Sequence, residues 1–223
     1  MDVTAEENAT LTGTHVRLEP LHERHAEGLA RAVTLDPSLY RWSLVPRDEA
    51  AMRAYVETAL RWKAEGNAVP FTIVRRSDGV PIGSTRFFDI ERWPWPDDYD
   101  NSGRPFDACE IGYTWLAADA IRTAVNTEAK LLLLTHAFET WNLWRVCFHT
   151  DERNERSRAA LAGIGATFEG IMRAYRVASD VTPRNSARFS ILAAEWPAVK
   201  QHLENRLARL PASTPLPQSR SLA

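Results

Sequence analysis

The sequence predicts a mixed α/β fold built around one sheet, and three observations carry that prediction. Short apolar runs and longer stretches with helical periodicity follow one another in the order βααβββαβαββ. The chain has 223 residues, 44% of them apolar and 25% charged, the size and balance of one globular domain. No internal repeat divides it.

Residues 1–10 read as a loose tail, and Thr14–Pro20 alternates apolar Val16 and Leu18 with polar neighbours, the period of a half-buried strand. A helix is expected from about Leu21 to Val33 and is stopped by Asp36-Pro37, because the residue before proline is pushed out of helical geometry. A second helix, about Arg47 to Glu65, carries Asp48 and Glu49 where carboxylates suit the positive helix end, and Gly66-Asn67 closes it. Phe71–Arg75 and Ile82–Ile90 flank a turn at 76–79 whose Gly79 accepts positive φ, so they read as a hairpin. Residues 91–107 form a long irregular insertion, and loops beyond about 12 residues are uncommon unless functional. Cys109–Leu116 is the next strand, with Gly112 marking a bulge or a close backbone approach. A helix over Thr123–Trp141, a strand over Arg145–Thr150, a short helix over 155–163 and a strand over Thr167–Tyr175 follow. A last strand near Ala187–Ala193 and a helix from Glu195 to Leu210 complete a domain over 11–210, before a Pro/Ser-rich tail at 211–223 expected to be disordered.

Composition excludes several classes. Net charge is 27 − 29 = −2, so no basic field points to nucleic acid. Cys109 and Cys147 lie in apolar runs and read as reduced core thiols. The acidic N-terminus lacks the plan of a signal peptide, and no apolar run approaches the roughly 18 residues of a membrane span, so a cytoplasmic protein without membrane contact is expected. His22 and His25 lack further ligands nearby, and no metal is expected.

Two segments carry chemistry. Asp151–Phe168 places Asn154 and Ser157 at the start of a short helix, with Gly163 and Gly165 at its end, between two strands. Taken alone, these residues fit helix capping as well as ligand contact. Glu110-Ile-Gly-Tyr-Thr-Trp-Leu116 sets a carboxylate in an otherwise apolar strand.

Together these segments resemble the GCN5-related N-acetyltransferase (GNAT) family, in its ribosomal-protein-alanine acetyltransferase-like branch. The likeness runs from about Thr12 to Lys200, and Glu195–Lys200 is similar to the end of that branch. It implies a strongly twisted mixed sheet of about seven strands with helices on both faces. Acetyl-CoA as co-substrate would wedge between the splayed strands 108–116 and 145–150. Its acetyl group would pass directly to a primary amine, on a protein N-terminus or a small molecule, in a ternary complex. The resemblance implies Glu110 as base and Ser157 near the thioester sulfur as the catalytic pair. Cofactor contacts fall on Trp115, Leu116, Arg122, Thr123, Ala124, Val125, Asn126, Thr127, Asn154 and Ser157. Tyr113, Trp93 and Trp95 are acceptor-side candidates, and Arg153, Arg156 and Arg158 fit either a phosphate contact or a solvated face. The usual pyrophosphate signature, Gln/Arg-x-x-Gly-x-Gly/Ala, is replaced by Ile121, Ala124 and Asn126. That departure leaves two alternatives: a weakly catalytic CoA-binding module, or an enzyme for a larger acyl-CoA. A monomer or homodimer is expected.

Overall fold

The computed structural model describes residues 9–34, 36–101 and 103–211. The tails expected over 1–10 and 211–223 lie almost wholly outside the described residues. The strands are Leu11–Thr12 (β1), Val16–Pro20 (β2), Ala68–Arg75 (β3), Pro81–Glu91 (β4), Ala108–Leu116 (β5), Arg145–Asp151 (β6), Thr167–Val177 (β7) and Pro183–Leu192 (β8). The helices are Ala26–Thr34 (α1), Glu49–Ala64 (α2), Ala124–Thr135 (α3), Glu155–Gly163 (α4) and Trp196–Leu207 (α5).

One eight-stranded sheet runs in the order β1-β2-β3-β4-β5-β6-β8-β7. The strand beyond the expected seven is β1, whose two residues pair with β2 as Leu11↔Leu18 and Thr12↔Arg17. Too short to show a period of its own, it is defined by its partner. Every pairing is antiparallel except β5 with β6.

Helices cover both faces. The alternation along β4 shows how: Phe87 points to Trp141, ring centroids 4.6 Å apart, whereas Arg86 meets Tyr55 and Trp62 of α2 on the other side. α1 packs on α2, and α3 packs on α5. The helix expected to reach Trp141 leaves α geometry after Thr135 and finishes as one π turn, His136–Thr140, which sets Trp141 into the core at 0% exposure. Helix starts follow local capping: Asp48 accepts from Ala51 N–H at 2.8 Å and Thr123 from Val125 N–H at 3.3 Å. Gly79 takes φ +72° in the β3–β4 turn, as its position required. Among the described residues no helix is long and apolar enough to cross a membrane.

Candidate functional site

β5 and β6 pair only at Ala108↔Arg145, Cys109↔Val146 and Glu110↔Cys147. Beyond that point β5 stays with β4 as far as Leu116, and β6 stays with β8 as far as Asp151, so the two strands part directly after Glu110. The side chain of Glu110 is buried at this fork. One of its oxygens, Oε2, lies 2.8 Å from Arg176 Nη2 and 2.8 Å from His149 Nδ1. The arginine donates a directed hydrogen bond; the imidazole touches the carboxylate without an aligned one. The His149 ring stands 5.0 Å from that of Tyr175.

Three β-bulges bring these groups together. Phe88↔Glu110 is followed by Glu91↔Ala108, so Asp89 and Ile90 oppose Cys109 alone. Arg86↔Gly112 is followed by Ser84↔Trp115 towards the other end, so Tyr113 and Thr114 oppose Thr85 alone. On β7, Arg173, Ala174 and Tyr175 oppose Asn185 alone, whose side-chain oxygen accepts from Ala174 N–H at 2.9 Å. Each bulge holds a non-glycine residue at positive φ: Asp89 at 46°, Tyr113 at 50° and Ala174 at 47°. Bulges re-aim side chains, and strain of this kind concentrates at functional sites. Here all three aim at one cleft of about 400 Å³, lined by Trp62, Phe88, Asp89, Tyr113, Tyr175 and Arg176.

The cleft is electrostatically mixed. Arg176 Nη2 bridges Glu110 and Asp89, the latter at 2.6 Å. Burial raises the Asp89 carboxyl above its ordinary range and Glu110 adds to the rise, against the pull of Arg176. Beneath the cleft, the fully buried Arg86 guanidinium packs 4.2 Å from the Tyr113 ring centroid and 5.4 Å from that of Trp62. A Cβ at Gly112 would stand 2.7 Å from Phe88 Cε1, so the glycine is required by this close approach.

On the opposite face of the β5 bulge, Lys130 of α3 donates to Thr114 Oγ1 at 2.8 Å, and Thr114 meets Thr85 at 2.8 Å. Burial pushes the Lys130 ammonium down to about 7 from an ordinary 10.5. Between those values the unfolded chain binds the extra proton, so this residue's cost to stability is full at pH 7 and below and fades towards pH 10.5. Lys130→Met is therefore expected to raise stability by about 1–3 kcal/mol at pH 6.5 and by much less at pH 9.5. Thermal unfolding at the two pH values checks this; an equal gain at both would show that the buried charge is not the cause.

Comparison with known proteins accords with this geometry. Residues 15–167 match the model of the acetyltransferase (GNAT) domain. The chain belongs to the GNAT acetyltransferase family. A GCN5-related N-acetyltransferase from Brucella melitensis superposes with a TM-score of 0.77 and 25% identity, covering 91% of this chain and 86% of that one. A T. thermophilus protein with the provisional name of acetyltransferase shares 36% identity at a TM-score of 0.72, over 89% of this chain and 96% of its own. Mycobacterium smegmatis RimJ, solved with CoA-disulfide, has the same fold at 22% identity and a TM-score of 0.71, over 91% and 93% of the two chains. No curated protein matches the chain.

Within this GNAT domain the residues singled out from the sequence fall into three groups. Glu110 and Tyr113 lie at the fork and its cleft. Trp115 and Leu116 form the far end of β5, where the Leu116 carbonyl accepts from Tyr40 Oη at 2.8 Å. Burial pushes that phenol up to about 12. The second group begins α3. Arg122 takes φ +62°, Thr123 caps the helix, and Ala124 N–H donates to the Pro211 carbonyl at 2.8 Å; Val125 and Thr127 are buried and Asn126 is half-buried. Asn154 and Ser157 form a cap at α4, Asn154 Oδ1 accepting from Ser157 N–H at 3.0 Å. Among the described residues no hydrogen bond joins Ser157 to the Glu110 cluster.

The third group lies elsewhere. Trp93 and Trp95, expected on the acceptor side, are absent from the cleft lining. Asp107 accepts from Trp93 N–H and Trp95 Nε1, both at 2.7 Å, and Trp95 stacks on Tyr99 with centroids 4.4 Å apart. Burial opposes the Asp107 charge, but these donors outweigh it and hold the carboxyl below its usual range. The long loop is thus anchored by packing on its own aromatic cluster. Arg153 pairs with Asp151 and Asp180, Arg156 donates to the Leu39 carbonyl, and Arg158 to the Glu152 carbonyl. Of the residues the sequence did not single out, His149 had a readable signal: it follows Cys147 by two on β6, so it shares the face of Glu110. Asp89, Tyr175 and Arg176 had none, because bulges deliver them.

Proposed function

We propose that this GNAT protein moves an acetyl group from acetyl-CoA directly to a primary amine, with Glu110 as the proton acceptor. The observation that carries this reading is a buried carboxylate at the point where β5 and β6 separate, hydrogen-bonded to Arg176 in the lining of a cleft of small-molecule size. Bound acetyl-CoA supplies the thioester. The side of β5 turned away from β4 over residues 111–116 offers main-chain groups for the pantetheine arm. The first N–H groups of α3 suit the pyrophosphate, since a helix start carries partial positive charge. The Ala124 N–H at this helix start already holds one oxygen, the Pro211 carbonyl, at 2.8 Å, which supports this placement.

Glu110 takes the proton of the incoming ammonium, directly or through His149. The freed nitrogen bonds to the acetyl carbon as its C–S bond breaks, the nitrogen's second proton passes to the sulfur, and CoA leaves as the thiol. No acyl-enzyme forms. The likeness to RimJ and to a ribosomal-protein-S5-alanine acetyltransferase of Vibrio fischeri, 18% identical, makes a protein N-terminus one candidate acceptor and a small amine the other.

Asn126, at a position usually held by a small residue, favours the second reading of a CoA module without catalysis. Calorimetric titration with acetyl-CoA, followed by thiol release over a panel of amines, separates the two. Submillimolar binding with release supports the transferase, binding without release leaves the module, and no binding removes both. A chain ending at Leu210 lacks the competing Pro211 carbonyl and is expected to bind acetyl-CoA about two- to tenfold more tightly, the worth of one hydrogen bond.

A further inference from the structure

Arg176 stands where a ligand's charge would stand. Its Nη2 lies 2.6 Å from Asp89 Oδ2 and 2.8 Å from Glu110 Oε2, and its guanidinium carbon is 5.0 Å from the Phe88 ring centroid and 5.0 Å from that of Tyr175. Two carboxylates and two aromatic faces form a receptor for a cation. The arginine comes from β7, an edge strand, and its side chain is 25% exposed, so it can turn outward without disturbing the sheet. Two other cations stand near: Arg86 is held beneath the Tyr113 and Trp62 rings, and Arg184, opposite Arg176 on β8, donates to Ser186 Oγ at 3.0 Å while its charge reaches Glu110.

We propose that the cleft takes an acceptor whose ammonium is carried on a compact apolar body, and that Arg176 is a built-in occupant which this ammonium displaces. The exchange is charge for charge. It delivers the acceptor nitrogen to Glu110, which Arg176 otherwise covers. An acceptor with a carboxylate beside its amine would instead bring a third negative group to Asp89 and Glu110. The apolar body meets the ring faces of Phe88, Tyr113 and Tyr175. Use of this cleft for catalysis rests on the transferase reading; binding of the cation does not.

The test is calorimetric titration of the full chain at pH 7 with phenethylammonium, L-phenylalanine and 3-phenylpropionate, each up to 10 mM. Phenethylammonium is expected to bind at least tenfold more tightly than phenylalanine, with phenylpropionate not binding. Arg176→Ala should tighten phenethylammonium about fivefold or more, because the competing cation is gone, and Tyr175→Leu should weaken it threefold or more. Tighter binding of phenylalanine or phenylpropionate that is lost in Arg176→Ala would overturn the proposal, making Arg176 a carboxylate receptor. Absence of binding by all three would also overturn it. The wild-type ligand series decides the matter even if a variant does not fold. Phenethylammonium binding without thiol release from acetyl-CoA would leave the cation receptor standing and remove the transferase. Release with anionic amines alone would do the reverse.

Discussion

Glu110→Gln is expected to lower kcat for acetyl transfer by about 10²–10⁴-fold, the range for loss of a positioned general base, while leaving acetyl-CoA affinity unchanged. The substitution is nearly isosteric. Its amide oxygen can still accept from Arg176 Nη2, which also retains Asp89, so the local fold has no cause to change. What disappears is the ability to take a proton at the fork. The contact with His149 Nδ1 makes the imidazole the rival base, and the two single variants separate them. If Glu110→Gln costs less than fivefold while His149→Asn costs a hundredfold, the histidine is the base and Glu110 a positioning residue. If both cost a hundredfold and the double variant costs no more, the two act as one relay. Steady-state thiol release at saturating acetyl-CoA, with each Kd measured separately, supplies the numbers.

How much of this was legible in the sequence depends on whether the determinants were local. Helix α2 was legible from Asp48 and Glu49 at its start and Gly66-Asn67 at its end; Asp48 is its N-cap, and Met52, Val56 and Ala59 are its buried face. β5 was readable because its apolar run is interrupted at few places, and two of them proved informative: Glu110 is the buried carboxylate, and Gly112 admits the Phe88 ring. Gly112 was read as a bulge or a close backbone approach, and the register places a bulge directly after it, at Tyr113–Thr114. Apart from Tyr113, the cleft lining was not legible. Asp89, Tyr113 and Ala174 adopt positive φ without being glycine, so no residue type flagged the turns that deliver Asp89, Tyr175 and Arg176. Those conformations are imposed by partner strands, and Asn185, which satisfies the β7 bulge, lies 11 residues away from Ala174 along the chain. Trp93 and Trp95 stand outside this cleft, and their setting was hidden for the opposite reason. Aromatic residues among prolines in a long loop resemble a cleft lining, and only the buried Asp107 beneath them reveals a structural anchor.

The same dependence on distant partners makes Glu128→Ala the largest expected loss of stability, about 3–5 kcal/mol. Glu128 lies on α3 and is 5% exposed. Its carboxylate accepts three main-chain hydrogen bonds, from Thr14 N–H at 2.7 Å, His15 N–H at 2.6 Å and Val16 N–H at 2.7 Å. It thus occupies the turn between β1 and β2 as a helix cap occupies a helix start, tying the sheet's edge to the helix that begins the proposed pyrophosphate site. Truncation leaves three donors without a partner: the Val16 N–H is buried and costs about 1–3 kcal/mol before relaxation or water entry, and those of Thr14 and His15, nearer the surface, cost less each. Glutamine cannot restore the arrangement, because its NH₂ would face an N–H donor; Glu128→Gln should recover less than half of the loss. Gly13 belongs to the same device, since a Cβ there would lie 2.4 Å from Glu128 Cδ. Gly13→Ala should therefore be destabilising in the native background and close to neutral once Glu128 is alanine. That makes the pair strongly non-additive, with a coupling of about 1–3 kcal/mol. Urea unfolding of the two single variants and the double variant measures the cycle. Additive losses, or a Glu128→Ala cost below about 1 kcal/mol, would show that the turn is held by its strand pairing alone.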